Sequence, residues 1–167
     1  EWWNPKGKFG VLHVFNPVRL QFIKEQVTAR LGRDPLEREP FRGLRFLDIG
    51  CGYGFFAVEA INRGFEVTAL DLATNKRKVM KEITGIEPVA SSFEDFQCAP
   101  GSYAAVLMSQ ILEHVSDINQ WMVKANSILE EGGVLAIALP NFDNAYLMAY
   151  RIINPSVQKQ LRDAQEA

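Results

Sequence analysis

Leu47-Asp48-Ile49-Gly50-Cys51-Gly52-Tyr53-Gly54 is the stretch that decides how this chain folds. An apolar run over residues 44–49 leads into three alternating glycines, and a helical pattern over residues 55–63 follows, closed by Gly64. That succession puts backbone without Cβ atoms at the carboxyl end of a strand, where doubly wound sheets bind their ligands. Glycine permits the tight turn and lets a ligand touch main-chain atoms. Phe55 stands three positions after Gly52, where the dinucleotide motif GxGxxG carries glycine or alanine, which argues against close pyrophosphate packing. The chain contains no GxxxxGK[ST], so a phosphate-loop NTPase is excluded.

Outward from this turn, short apolar runs alternate with helical stretches. Strands are expected at residues 66–70, 88–90, 103–109 and 134–139. Helices are expected at 73–83, at 118–130 closed by Gly132-Gly133, and at 145–153. The alternation predicts an α/β fold, a doubly wound and mostly parallel sheet covered on both faces. Ahead of it, Asn16 reads as an N-cap with Pro17 at the first helical position. Leu20, Ile23, Val27 and Leu31 repeat at helical spacing, predicting an amphipathic helix over 17–31. Residues 32–43, with Pro35 and Pro40, read as a linker. The expected organisation is therefore an N-terminal segment, 1–43, and a core, 44–167, forming one structural domain.

The 167 residues suffice for one domain with a real core, and 47% hydrophobic with 23% charged residues is the balance of a globular protein. No apolar run reaches about 18 residues, so no membrane-spanning helix is expected. Cys51 and Cys98 cannot make a disulfide framework, and no CxxC pair is present to hold zinc. A reducing compartment, the cytoplasm, follows from that cysteine usage. The net charge of −2 argues against a general nucleic-acid binder. Charge is unevenly placed, however. Residues 1–45 carry nine Lys or Arg against five acids, a net +4 that leaves −6 for the remainder. Such a segment suits a solvated helix face, or weak contact with an anionic membrane surface.

Two carboxylates flank the glycines. Asp71 ends the second strand, 17 residues after Gly54, where a carboxylate can accept both ribose hydroxyls of an adenosine-containing ligand. Asp48 precedes Gly50 and can order the turn or meet a ligand ammonium.

Strand, DxGxGxG, helix, strand and Asp71 together resemble the signature of class I S-adenosylmethionine-dependent methyltransferases. The resemblance continues in Glu94-Asp95-Phe96, in Leu112-Glu113-His114-Val115 and in Leu129-Glu130-Glu131-Gly132-Gly133. The N-terminal piece narrows it. Trp2-Trp3-Asn4-Pro5-Lys6-Gly7-Lys8-Phe9, Leu12-His13, Asn16-Pro17-Val18-Arg19-Leu20 and Phe22-Ile23 resemble the start of the ubiquinone-biosynthesis O-methyltransferases. Gly32-Arg33-Asp34-Pro35 and Phe41-Arg42-Gly43-Leu44-Arg45 are similar to bacterial members, and the resemblance runs to about Ile153.

The resemblance implies a Rossmann-like fold with an N-terminal helical lid, S-adenosylmethionine as donor, and a phenol or catechol oxygen on a polyprenylated ring as acceptor. By position, Arg19, Gly50, Asp71 and Ser109 would contact the cofactor, a guanidinium suiting the methionine carboxylate. Asp48, Cys51, Gly52, Gly54, Leu72, Ser92, Phe93 and Gln110 complete the candidate cofactor set. Trp2, Trp3, Phe9 and His13 would fold over it as a lid. His114 and Glu113 are the candidate catalytic pair, with His114 taking the phenol proton directly or both holding a divalent cation. In the related enzymes a carboxylate stands three before the Glu-His pair, where this chain has Gln110, so no metal ligand set is assigned.

The family's last two strands and its acceptor-capping segment find no counterpart in residues 155–167. The expectation is that the protein extends past Ala167 or recruits a partner to cover the last strand. The basic N-terminal segment and Ala145-Tyr146-Leu147-Met148-Ala149-Tyr150 would support weak peripheral membrane contact. Two other readings stay open: methylation of a different small molecule or natural product, and a cofactor-binding module without catalysis.

Overall fold

The computed structural model describes residues 3, 4, 6, 7 and 10–139, side chains at 11, 12 and 15 excepted. Four strands, β1 (Arg45–Ile49), β2 (Glu66–Leu70), β3 (Tyr103–Ser109) and β4 (Leu129–Ala138), form one sheet. Their order is β2-β1-β3-β4 and every pairing is parallel. The helices are α1 (Gly10–Arg30), α2 (Phe55–Asn62), α3 (Thr74–Thr84) and α4 (Ile118–Ile128), with a single 3₁₀ turn at Leu112–His114.

The central strands are buried almost throughout, as parallel strands covered on both faces must be. Their side chains still alternate. Phe46, Ala105 and Leu107 face a cluster with Leu20, Ile23 and Val27 of α1 and Phe56 and Ala60 of α2. Leu47, Ile49, Val106 and Met108 face the other way, against Trp121, Ala125 and Ile128 of α4. A period of two thus splits one apolar run between two layers of core. From β1 the chain steps to β2 on one side and returns to β3 on the other. The reversal lies between β1 and β3, and their carboxyl ends open the crevice where such sheets take ligands.

Three expectations are corrected. The N-terminal helix starts at Gly10 rather than Pro17, so Pro17 lies inside it and Asn16 is no cap. A proline within a helix removes a backbone donor and ordinarily costs about 3 kcal/mol; here tertiary contacts offset it, Leu20, Ile23 and Val27 being buried in the core. The segment expected as a strand at 88–90 is a single bridge, Val89 to Leu70. Pro88 has no N–H to extend it. Helix α4 stops at Ile128 and β4 begins at once, instead of a helix to 130 and a strand from 134. Leu129 pairs with Tyr103 and Val134 with Ala105, so residues 130–133 are absorbed in an irregularity of the ladder, with Gly132 at φ +79°. The helix expected at 145–153, the apolar stretch 145–150, and Trp2 and Phe9 of the lid lie outside the described residues.

Candidate functional site

The glycine turn is built by left-handed backbone, which favours glycine. Gly50 and Gly54 sit at φ +72° and +82°. A Cβ at Gly54 would stand 2.6 Å from Cγ of Met80, so the closeness of α2 to α3 also requires glycine there. Asp71, just past β2, locks the turn. Its Oδ2 accepts the N–H of Gly52 at 2.9 Å and its Oδ1 that of Ala73 at 2.7 Å. Arg77 donates to the Asp71 and Leu72 carbonyls and closes the same loop.

Asp48 is 2% exposed, and its Oδ2 has no hydrogen-bond partner among the described residues. Burial, reinforced by the charge of Asp71, pushes its carboxyl up to about 7. Burial and the same two acids push the Cys51 thiol far above its ordinary range, so it is an inert wall, not a nucleophile.

Two hollows meet over this turn. One, about 220 Å³, is lined by Asn16, Arg19, Asp48, Cys51, Phe56 and Ser109 among others. The second, about 410 Å³, is lined by Asp71, Leu72, Ser92, Phe93, Ile111, His114 and Trp121 among others. Gly50, Lys76 and Gln110 line both, so they form two lobes of one cleft. The second lobe has a braced wall. Trp121 Nε1 donates to Glu94 Oε1 at 2.7 Å, Lys124 Nζ donates to the Phe93 and Glu94 carbonyls, and Phe93 meets Trp121 edge to face at 5.0 Å.

All twelve residues of the sequence-derived cofactor set except Gly54 line one lobe or the other. Gly54 instead ends the turn and precedes α2. His114 lines the second lobe, while its neighbour Glu113, on the same 3₁₀ turn, lines neither. Of the lid residues, Trp3 stacks on Phe55 at 4.5 Å and donates from Nε1 to the Tyr53 carbonyl at 3.2 Å. His13 meets Phe55 edge-on at 4.9 Å. Trp3 and His13 are thus anchored on the turn and the start of α2. No group of three or more His, Cys, Asp or Glu is gathered to hold a metal among the described residues, nor is any described helix long and apolar enough to cross a membrane.

Sequence reasoning missed Asn16, Lys76 and Trp121. Asn16, rather than capping a helix, is buried inside α1 and accepts from Arg19 Nη1 at 3.3 Å. Lys76 had a readable signal, since the first turn of the helix after Asp71 must lie over the cleft. Trp121 had none, because its approach depends on how α4 packs.

A methyltransferase-domain family matches residues 21–164. The ubiquinone biosynthesis O-methyltransferase of Mesorhizobium japonicum is 39% identical over 146 residues, covering 84% of this chain and 59% of that protein. Its namesake from Caulobacter sp. (strain K31) is 41% identical over 149 residues, covering 84% and 58%. The chain therefore spans under three-fifths of the length of these curated relatives. Among solved structures, an S-adenosylmethionine-dependent methyltransferase from Mesorhizobium loti superposes with a TM-score of 0.53 at 23% identity, covering 69% of this chain and 53% of that one. The sugar N-methyltransferase KedS8 from Streptoalloteichus gives 0.59 at 17% identity, covering 83% and 52%. At those identities the structural likeness is one of fold.

Proposed function

The chain belongs to the methyltransferase-domain family, and from that premise we propose that it binds S-adenosylmethionine across the two lobes and serves the O-methylation of a phenol or catechol such as a quinone precursor. The observation that carries this is the buried Asp48 Oδ2, partnerless among the described residues, in a lobe that also holds Arg19. An acid and a guanidinium in one hollow suit an amino-acid zwitterion, the carboxylate taking the ammonium and Arg19 the carboxyl group. The second lobe suits adenosine. Leu72, Phe93 and Trp121 offer apolar faces for a purine. Asp71, although each of its oxygens already holds a backbone N–H, keeps lone pairs for ribose hydroxyls.

Bound there, the donor would supply an electrophilic methyl, the acceptor oxygen providing the electron pair of the new C–O bond and the sulfur keeping that of the broken C–S bond. The protein's part in such an in-line displacement is to position and to exclude water. The braced Phe93–Trp121 wall and the Trp3 strap serve those ends. A phenol near pKa 10 needs its proton removed at neutral pH. His114, which lines the second lobe, is the candidate to receive it, and Glu113 is the weaker one since it lines neither lobe. Glu113 and His114 alone do not make a ligand set, so no step is derived through a divalent cation. Weak contact with an anionic membrane surface belongs to the same proposal, supported by the basic residues 1–45 and by the greasy acceptors it would bring within reach.

Calorimetric titration with S-adenosylmethionine and its demethylated product, followed by turnover on a catechol panel, tests the reading. Micromolar binding with product formation on a catechol is expected. Binding without turnover on any phenol would favour a cofactor-binding module, and the absence of binding would overturn the reading.

A further inference from the structure

Ten described residues adopt a left-handed backbone, and nine of them are glycine. The tenth is Gln110, at φ +55°, the residue directly after β3. A side chain in that conformation is strained, and strain of this kind persists where the surrounding structure holds it and collects at functional sites. The hold is visible: the Gln110 N–H donates to the Ala138 carbonyl of β4 at 2.8 Å. The side chain secures no hydrogen bond in return, since the exposed carboxamide makes none to any described residue.

Its location supplies the reason. Three residues line both lobes: Gly50, Lys76 and Gln110. In the proposed binding mode, on which this inference rests, the atom joining the adenosyl and amino-acid halves of the donor is the positive sulfur. The joint of the ligand falls at the joint of the lobes. Gly50 brings only main chain there, and the Lys76 ammonium repels a sulfonium. Gln110 brings a carbonyl dipole.

We propose that the Gln110 carboxamide meets the sulfonium and sets how strongly the site prefers the charged donor over its neutral thioether product. When the methyl passes to the acceptor oxygen the sulfur loses its positive charge, so a group at this point feels the difference between the two ligands, whereas Arg19 and Asp71 meet parts that donor and product share. A neutral dipole favours the donor mildly and still lets the product leave. A carboxylate in its place would hold the donor harder.

The test is calorimetric titration of the 167-residue chain and its Gln110→Glu, Gln110→Leu and Gln110→Gly variants with S-adenosylmethionine and S-adenosylhomocysteine at low salt, beside the melting temperature of each ligand-free protein. Gln110→Glu is expected to raise the donor-over-product ratio of affinities about three- to tenfold, as a new charge pair at a partly exposed site does. Gln110→Leu is expected to lower that ratio, with product affinity near that of the wild type. Gln110→Gly, relieved of strain, is expected to melt about 2–4 °C higher while losing the same discrimination. Equal changes in both affinities across the variants, or a lower melting point for Gln110→Gly, would overturn the inference and leave the proposed function standing. A wild-type chain that binds neither ligand would overturn both.

Discussion

Gly52 and Asp71, nineteen residues apart, are joined by a hydrogen bond of 2.9 Å from the glycine N–H to the carboxylate Oδ2. The turn after β1 and the acid after β2 are therefore one unit. The carboxylate orders the loop that would cradle a ligand and lines the cleft as well.

Replacing Asp71 by alanine should accordingly damage both roles. Two backbone N–H groups lose a charged acceptor, at about 1–2 kcal/mol each once partial exposure is discounted. The expected outcome is a lower melting temperature together with at least a tenfold loss of S-adenosylmethionine affinity. Unchanged affinity in a destabilised protein would confine Asp71 to the turn.

Asp48 makes stability depend on pH in a direction unusual for an acid. Its carboxyl ionises near 3.8 when free and near 7 in the fold. Between those values the folded chain keeps a proton that the unfolded chain has released. Stability from this group is thus full below pH 4, declines as pH rises to about 7, and is level beyond. Asp48→Asn should be more stable than the wild type at pH 8, with the advantage gone near pH 4, and should bind the cofactor more weakly because an amide cannot balance an ammonium. Denaturation profiles that stay parallel across that range would contradict the buried, proton-holding carboxyl.

Gly52 and Gly54 should respond differently to one added methyl group. At Gly54 the backbone is left-handed and the new Cβ would lie 2.6 Å from Met80 Cγ, so Gly54→Ala is expected to cost about 2–3 kcal/mol. At Gly52 nothing lies closer than the Gly50 carbonyl at 4.0 Å, leaving mainly the strain of φ +56°, about 1 kcal/mol. Because Gly52 lines the cleft, Gly52→Ala should lose cofactor affinity out of proportion to its lost stability. Chemical denaturation paired with calorimetry separates the two effects.

His114→Ala should reduce turnover on a catechol by about 10²–10⁴, the usual worth of a general base. Donor affinity should stay within a few-fold of the wild type. A large loss of affinity with little loss of turnover would make His114 part of the adenosyl wall instead.

The strands were readable wherever an unbroken apolar run meant burial on both faces, as in β1 and β3. Their ends are not legible where pairing partners decide them. Nothing local to residues 129–133 says that Leu129 already pairs with Tyr103, and Val89 looks like a strand residue although it makes only one bridge. Pro17 shows the same limit, since a local rule places it at a helix start and burial of Leu20, Ile23 and Val27 places it inside one.

By itself the sequence determined the fold class, the glycine turn and its two flanking acids, because those depend on periodicity and on backbone freedom that neighbours along the chain express. Only the tertiary structure decided that Asp48 is buried with its Oδ2 unpartnered among the described residues, that Lys76 and Trp121 line the cleft, and that Gln110 is the strained residue where its two lobes meet. Burial, pairing and charge proximity arise between segments tens of residues apart, and packing alone brings those segments together.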